Sequence, residues 1–181
     1  MTMAKQPPAR GKYYYAGGEK VELAPADDLL AVDEQALNAS AVPKAVAAAV
    51  RMVIHPLADR IGLVSRADLG PNGPDIVRAL ESAGATHPVF RSHGAVLVVL
   101  PEVRVEESRG AKQKHLADWL ASRARDALIE SRNEDRMVLR PASGYGGDAL
   151  TLANQLAEQV GPEMAQARFL RVTQRPSAVR V

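Results

Sequence analysis

Apolar residues along this chain recur at two spacings, and an element ends where one spacing gives way to the other. Val46, Ala49, Val50 and Val53 recur at helical spacing, which predicts a helix from Pro43 to about Ile54. Proline suits its first position, where no amide hydrogen is needed, and Pro56 stops it. Ile76, Val77 and Leu80 predict a second helix, opened by Pro74 and closed at Gly84. Leu116, Trp119, Leu120, Ala124 and Ala127 form the stripe of a third, from about Ala111 to Ala127. A fourth begins at Asp148, whose carboxylate can cap it. It buries Ala149, Leu152, Ala153, Leu156 and Val160 and ends at Gly161-Pro162.

Strand signals fill the intervals. Tyr13 to Tyr15, the turn Ala16-Gly17-Gly18-Glu19 and Lys20 to Leu23 predict a hairpin. Leu29 to Val32 and Ile61 to Val64 are apolar runs of strand length. His87 to Arg91 and Ala95 to Leu100 are joined by Ser92-His93-Gly94 as strand, turn and strand. Pro101 should break or bulge the second of these. Val103 and Val105 then alternate with Arg104 and Glu106, as in a half-buried strand. Ala127 to Ser131 and Met137 to Arg140 flank the polar turn Arg132-Asn133-Glu134-Asp135, and Ala165 to Val172 is the last strand.

From residue 99 to 172 the order is therefore strand, helix, strand, strand, helix, strand. That order predicts an α+β fold whose C-terminal half is a ferredoxin-like βαββαβ unit, with two helices over one face of a four-stranded antiparallel sheet. Residues 13–98 repeat strand, helix, strand, helix, strand and read as a related or accessory α+β half. Residues 1–12 read as a disordered tail and residues 173–181 as a flexible C-terminal tail.

Composition narrows the chemistry. There are no cysteines, which excludes a disulfide scaffold, a thiol nucleophile and a cysteine zinc site, and fits a reducing compartment. Met1 to Tyr15 has no apolar run fit for a signal peptide, and Ala45 to Val50 is too short to cross a bilayer. The expectation is a cytoplasmic protein with no membrane partner. The net charge is +2, with the basic excess at the two ends. Aromatic residues are 4% of the chain, and three of the seven stand together at Tyr13 to Tyr15, which argues against a nucleic-acid surface with aromatic platforms.

No catalytic constellation emerges from the chain. His93-Gly94 sits in a tight turn, and no Gly-Thr-Ser nucleophile segment follows it. His55, His87 and His115 have no partner at metal-ligand spacing. Gly144-x-Gly146-Gly147 precedes a helix without phosphate-loop spacing and reads as a helix-opening loop. The adjacent carboxylates Asp27-Asp28 and Glu106-Glu107 point apart on a turn or strand. The expectation is a protein that is not an enzyme, with no catalytic residues, no cofactor and no metal.

Two stretches carry a resemblance. One is Tyr13-Tyr14-Tyr15-Ala16-Gly17-Gly18-Glu19-Lys20-Val21-Glu22-Leu23-Ala24-Pro25 with Asp28-Leu29-Leu30-Ala31-Val32. The other is Ala149-Leu150-Thr151-Leu152-Ala153-Asn154-Gln155-Leu156 with Ala167-Arg168-Phe169-Leu170, and Pro88-Val89-Phe90-Arg91 fits between them. Together they resemble the N-terminal prodomain of fervidolysin-like subtilases, the propeptide of subtilisin-like serine proteases, here without the peptidase domain. Gln166-Ala167-Arg168-Phe169 departs from that pattern in lacking its Pro and Asn.

The resemblance implies a protein-binding module that binds or inhibits a subtilisin-like serine protease through its sheet and C-terminal tail. In that mode the tail lies in the protease cleft as an added strand. The residues it implicates are Phe169 and Leu170, then Thr173, Gln174, Arg175, Pro176, Ser177, Ala178, Val179, Arg180 and Val181. The alternative is an assembly or adaptor domain that reuses the prodomain fold to form a homo-oligomer or recruit another protein effector.

Overall fold

The three tyrosines pair with Lys20-Val21-Glu22 as a hairpin, β1 (Lys12–Ala16) with β2 (Glu19–Pro25). Its two-residue turn needs a left-handed backbone at both positions, and Gly17 and Gly18 supply it at φ 57° and 84°. The computed structural model describes residues 12–106, 111–161 and 164–172. Past the hairpin come β3 (Leu29–Asp33), α1 (Lys44–Val53), β4 (His55–Pro56), β5 (Ile61–Ser65), α2 (Gly73–Ser82) and β6 (Thr86–His87). A linking strand, β7 (Val89–Ser92), leads into β8 (Ala95–Glu106), α3 (Ala111–Ser122), β9 (Ala127–Arg132), β10 (Arg136–Pro141), α4 (Gly146–Gln159) and β11 (Met164–Val172).

Two regions repeat one plan. From β3 to β6 and from β8 to β11 the order is strand, helix, strand, strand, helix, strand. The first sheet lies in the order β4-β5-β3-β6 and the second contains β9-β10-β8-β11. Counted from its own first strand, each reads 2-3-1-4, and every neighbouring pair is antiparallel. The protein is thus α+β, with helices and antiparallel sheets. The hairpin and β7 add to the second sheet, beside the first half of β8.

Burial explains the strand patterns. Leu30 and Val32 of β3 pack against Val50 of α1 and Ile76, Val77 and Leu80 of α2. Ala31 of β3 and Ile61 of β5 face the other way, against Val96, Val98 and Leu100 of β8. The opposite side of β8, through Leu97, Val99, Val103 and Val105, packs on Leu116 and Trp119 of α3 and on Leu152, Ala153 and Leu156 of α4. Four layers result: helices, small sheet, large sheet, helices. A strand covered on both faces has no position left for a polar residue, so Leu29 to Val32 and Ala95 to Leu100 are apolar throughout. Each fully buried Leu or Val contributes roughly 1.5–3 kcal/mol.

Several expectations meet specific local outcomes. The boundary expected between residues 98 and 99 falls inside β8, which continues through Pro101. Proline bulges this strand rather than ending it: Leu100, Pro101 and Glu102 stand opposite Arg168 alone, between the pairs Ala167 with Val103 and Phe169 with Val99. The third helix stops at Ser122 instead of Ala127. The Ser122 hydroxyl donates to the Trp119 carbonyl at 2.6 Å and the chain turns through Arg123 to Asp126. Asp148 does not cap α4. Tyr145 holds the cap position, and the Asp148 carboxylate accepts a hydrogen bond from Ser143 at 2.6 Å.

Candidate functional site

The even-numbered face of β8 changes character at its bulge. Val96, Val98 and Leu100 are covered by the small sheet. Beyond Pro101 the same face carries Glu102, exposed Arg104 and Glu106. Here charges pair sideways: Arg104 with Glu102 at 3.0 Å, and Arg136 of β10 with Glu106 at 3.3 Å. The large sheet runs past the small one, and a polar cleft of about 300 Å³ opens where the cover ends.

The cleft draws on six strands and one turn, with Ile61 supplied by β5. Asp33 and Gln35 come from the end of β3, Asp59 and Arg60 from the β4–β5 turn, and His87 from β6. Glu102 sits at the β8 bulge, Arg140 on β10 and Arg168 on β11. Arg168 bridges two carboxylates, donating to Asp59 at 2.7 Å and to Glu102 at 3.0 Å. Arg140 pairs with Glu130 at 3.1 Å. Arg60 donates instead to the neutral side chain of Gln35 at 2.7 Å. One Asp33 oxygen accepts the backbone N–H groups of Gln35 at 2.8 Å and Ala36 at 3.2 Å.

Two features here carry a free-energy cost. Asp59 and Arg60 both adopt left-handed backbone, at φ 54° and 61°. The other two turns of this kind use glycine, Gly17-Gly18 and His93-Gly94. Without glycine each such residue costs about 1–2 kcal/mol. His87 is 6% exposed, and its Nδ1 has no hydrogen-bond partner. Burial pushes the imidazole pKa down, and the nearby Asp33 charge partly opposes that.

A second candidate is the rim strand β9. Among the described residues it pairs only with β10, and five of its six residues are exposed. Leu128 and Ile129 are 52% and 50% exposed. They point to opposite faces, since Leu128 stands opposite Arg140 and Ile129 opposite Leu139. The register shifts next to them, leaving Glu130 as an extra residue on β9.

The residues singled out from the sequence divide. Phe169 packs its ring 4.9 Å from that of Tyr14, against the helix-side core. Leu170 packs between the sheets. Both side chains are half-buried. Thr173, Gln174, Arg175, Pro176, Ser177, Ala178, Val179, Arg180 and Val181 lie outside the described residues. His93 is in its expected turn, at φ 47°. His87, Asp59, Arg60 and Arg168 were not legible as a group. His87 and Arg168 are far in sequence from Asp59-Arg60, and an Asp-Arg pair carries little of the turn signal that Asn-Gly does.

The two stretches behind the subtilase resemblance touch each other. Asn154 of α4 donates to the Tyr13 carbonyl at 2.8 Å, and the Tyr13 and Tyr15 hydroxyls both donate to Glu158, at 2.6 and 3.1 Å. Burial and the Glu158 carboxylate both hold the Tyr15 hydroxyl pKa above its usual value. Among the described residues, no helix is long and apolar enough to cross a membrane, and no cluster of three His, Cys, Asp or Glu could hold a metal ion. No family model, no curated protein and no solved structure matches the chain.

Proposed function

We propose that the protein is a non-catalytic protein-binding module that takes an extended segment of a partner onto β9, with a subtilisin-like serine protease as the favoured partner. The observation that carries this reading is the β9 edge, unpaired on one side among the described residues, with an exposed aliphatic side chain on each face. An added strand is held by backbone hydrogen bonds and selected by alternate side chains, and β9 offers both. An unguarded edge would pair with any strand. The Glu130 bulge and the charges of Glu130 and Arg132 restrict what fits. In this reading both βαββαβ units are of the ferredoxin-like type, the second carrying the edge and the first bracing its sheet from behind.

The choice of a protease rests on the sequence motifs. The tie between the opening hairpin and α4 supports it, because both motifs then serve one structural purpose. A second copy of the chain is the alternative occupant of the same edge, by antiparallel pairing of two β9 strands.

The test is inhibition of a purified subtilisin-type protease by the intact chain, by the double variant Leu128→Lys/Ile129→Lys, and by a chain ending at Val172. Inhibition that weakens about tenfold or more in the lysine variant, with an unchanged circular dichroism spectrum, is expected. Inhibition lost only on truncation would move the contact to residues 173–181. No inhibition, together with a dimer in sedimentation that Leu128→Lys dissociates, would replace the protease by a second copy.

A further inference from the structure

The polar cleft has features that strand addition at β9 does not use. A neutral imidazole carries one N–H and one lone pair. His87 Nδ1 is buried and unpartnered, and an orphaned buried N–H is rarer in proteins than an orphaned acceptor. The proton therefore belongs on Nε2, leaving Nε2–H as the donor that the ring can offer to the cleft it lines. Arg60 lines the same cleft and, among the described residues, its guanidinium donates to the neutral oxygen of Gln35 and to no carboxylate, whereas carboxylates pair with Arg168 and Arg140.

We propose that this cleft binds the carboxylate group of a ligand, its oxygens accepting from the Arg60 guanidinium and from His87 Nε2–H. A guanidinium presents two parallel donors that match a carboxylate. A single negative charge suits the site better than a phosphate dianion, because Asp33, Asp59 and Glu102 also line the cleft and would repel the second charge. The strained Asp59-Arg60 turn fits this role, since left-handed backbone without glycine is kept where it aims side chains at a ligand. A volume of about 300 Å³ admits either a free small acid or the last residue of a peptide.

The experiment follows the imidazole resonances of the full chain labelled with ¹⁵N-histidine. His55, His93 and His115 are exposed, so replacing each with Gln identifies the His87 signal without disturbing the core. Propionate, a tripeptide acid, the same tripeptide amide and inorganic phosphate are then titrated in separate arms. Saturable displacement of the His87 signal by a carboxylate, weakened about tenfold or more by Arg60→Gln, is expected. Equal affinity of propionate and the tripeptide acid would identify a free acid, and much tighter binding of the tripeptide acid a chain end. The proposal is overturned if no carboxylate moves the His87 signal, if Arg60→Gln binds as well as wild type, if the amide matches the acid, or if phosphate binds tighter than every carboxylate. Leu128→Lys should leave this binding unchanged, so failure at β9 and failure at the cleft are separable.

Discussion

The two βαββαβ units share strand order and strand direction but not proportion. In the first, central β3 has five residues and its outer strands β4 and β6 have two each. In the second, central β8 has twelve residues, β9 six and β11 nine. The short sheet covers only part of the long one. The first half of β8 lies between layers, while its second half overhangs with one face uncovered. Both candidate sites, the cleft at the edge of the cover and the β9 rim beyond it, belong to the overhang. The lesson is that the excess length of one unit over the other created surface on an otherwise closed arrangement.

The largest effect should come from breaking the core of the first unit. Leu80 of α2 is fully buried, and Leu80→Ala should lower stability by about 3 kcal/mol. Trp119, the sole tryptophan, reports from the core of the other unit. Ala31 and Ile61 pack against Val96 and Val98 in a layer common to both units. Trp119 fluorescence and far-ultraviolet circular dichroism should therefore shift together in urea. An unmoved fluorescence midpoint would mean that the units unfold independently and that the common layer couples them weakly.

A smaller loss should follow Gly146→Ala, which tests how closely the second unit's helix rests on its long strand. A Cβ at Gly146 would lie 1.9 Å from the Val99 carbonyl oxygen, so the first turn of α4 would have to lift from β8. Overpacking of this kind costs about 1–3 kcal/mol. An unchanged urea midpoint would show that α4 adjusts freely and that the contact is not a constraint.

The smallest effect concerns the join between the sheets, where β6 hands the chain to β7. The folded-state pKa of His87 lies below its usual 6.5. Below that value the unfolded chain takes up a proton that the folded protein resists, so stability should fall as pH drops from about 6.5 toward the lowered pKa and level off beneath it. His87→Phe should flatten the stability profile in this window. A profile with the same slope in both proteins would show that His87 is not buried neutral. Asp28 acts in a separate window. Its bidentate pairing with Arg91, at 2.7 Å for each bond, holds its carboxyl below 3.8, and that contribution is lost only as pH falls through the lowered value.

Much of the fold could be read locally. Helix stripes such as Ile76, Val77 and Leu80, and hairpins with glycine turns, are encoded within a few residues of each other. The two-residue strands β4 and β6 had no such signal, because a strand that short is specified by its partner and not by its own pattern. The equivalence of the two units was visible only as a repeated order of elements. Their side chains differ: α1 buries the smaller residues Ala47 and Val50, where its counterpart α3 buries Leu116 and Trp119.

By itself, then, the sequence determined the α+β class, the positions of the four helices, the alternation that marks the second half of β8 as half-buried, and a bulge or break at Pro101. Those properties follow from 3.6- and 2-residue periods and from the missing amide hydrogen of proline, all of which act between near neighbours. Only the tertiary structure decided that one sheet would stop short of the other, that His87 and Arg60 would line one cleft, and that Leu128 and Ile129 would be left on an open rim. Those outcomes depend on which layer covers which, and pairings between residues tens of positions apart set that arrangement.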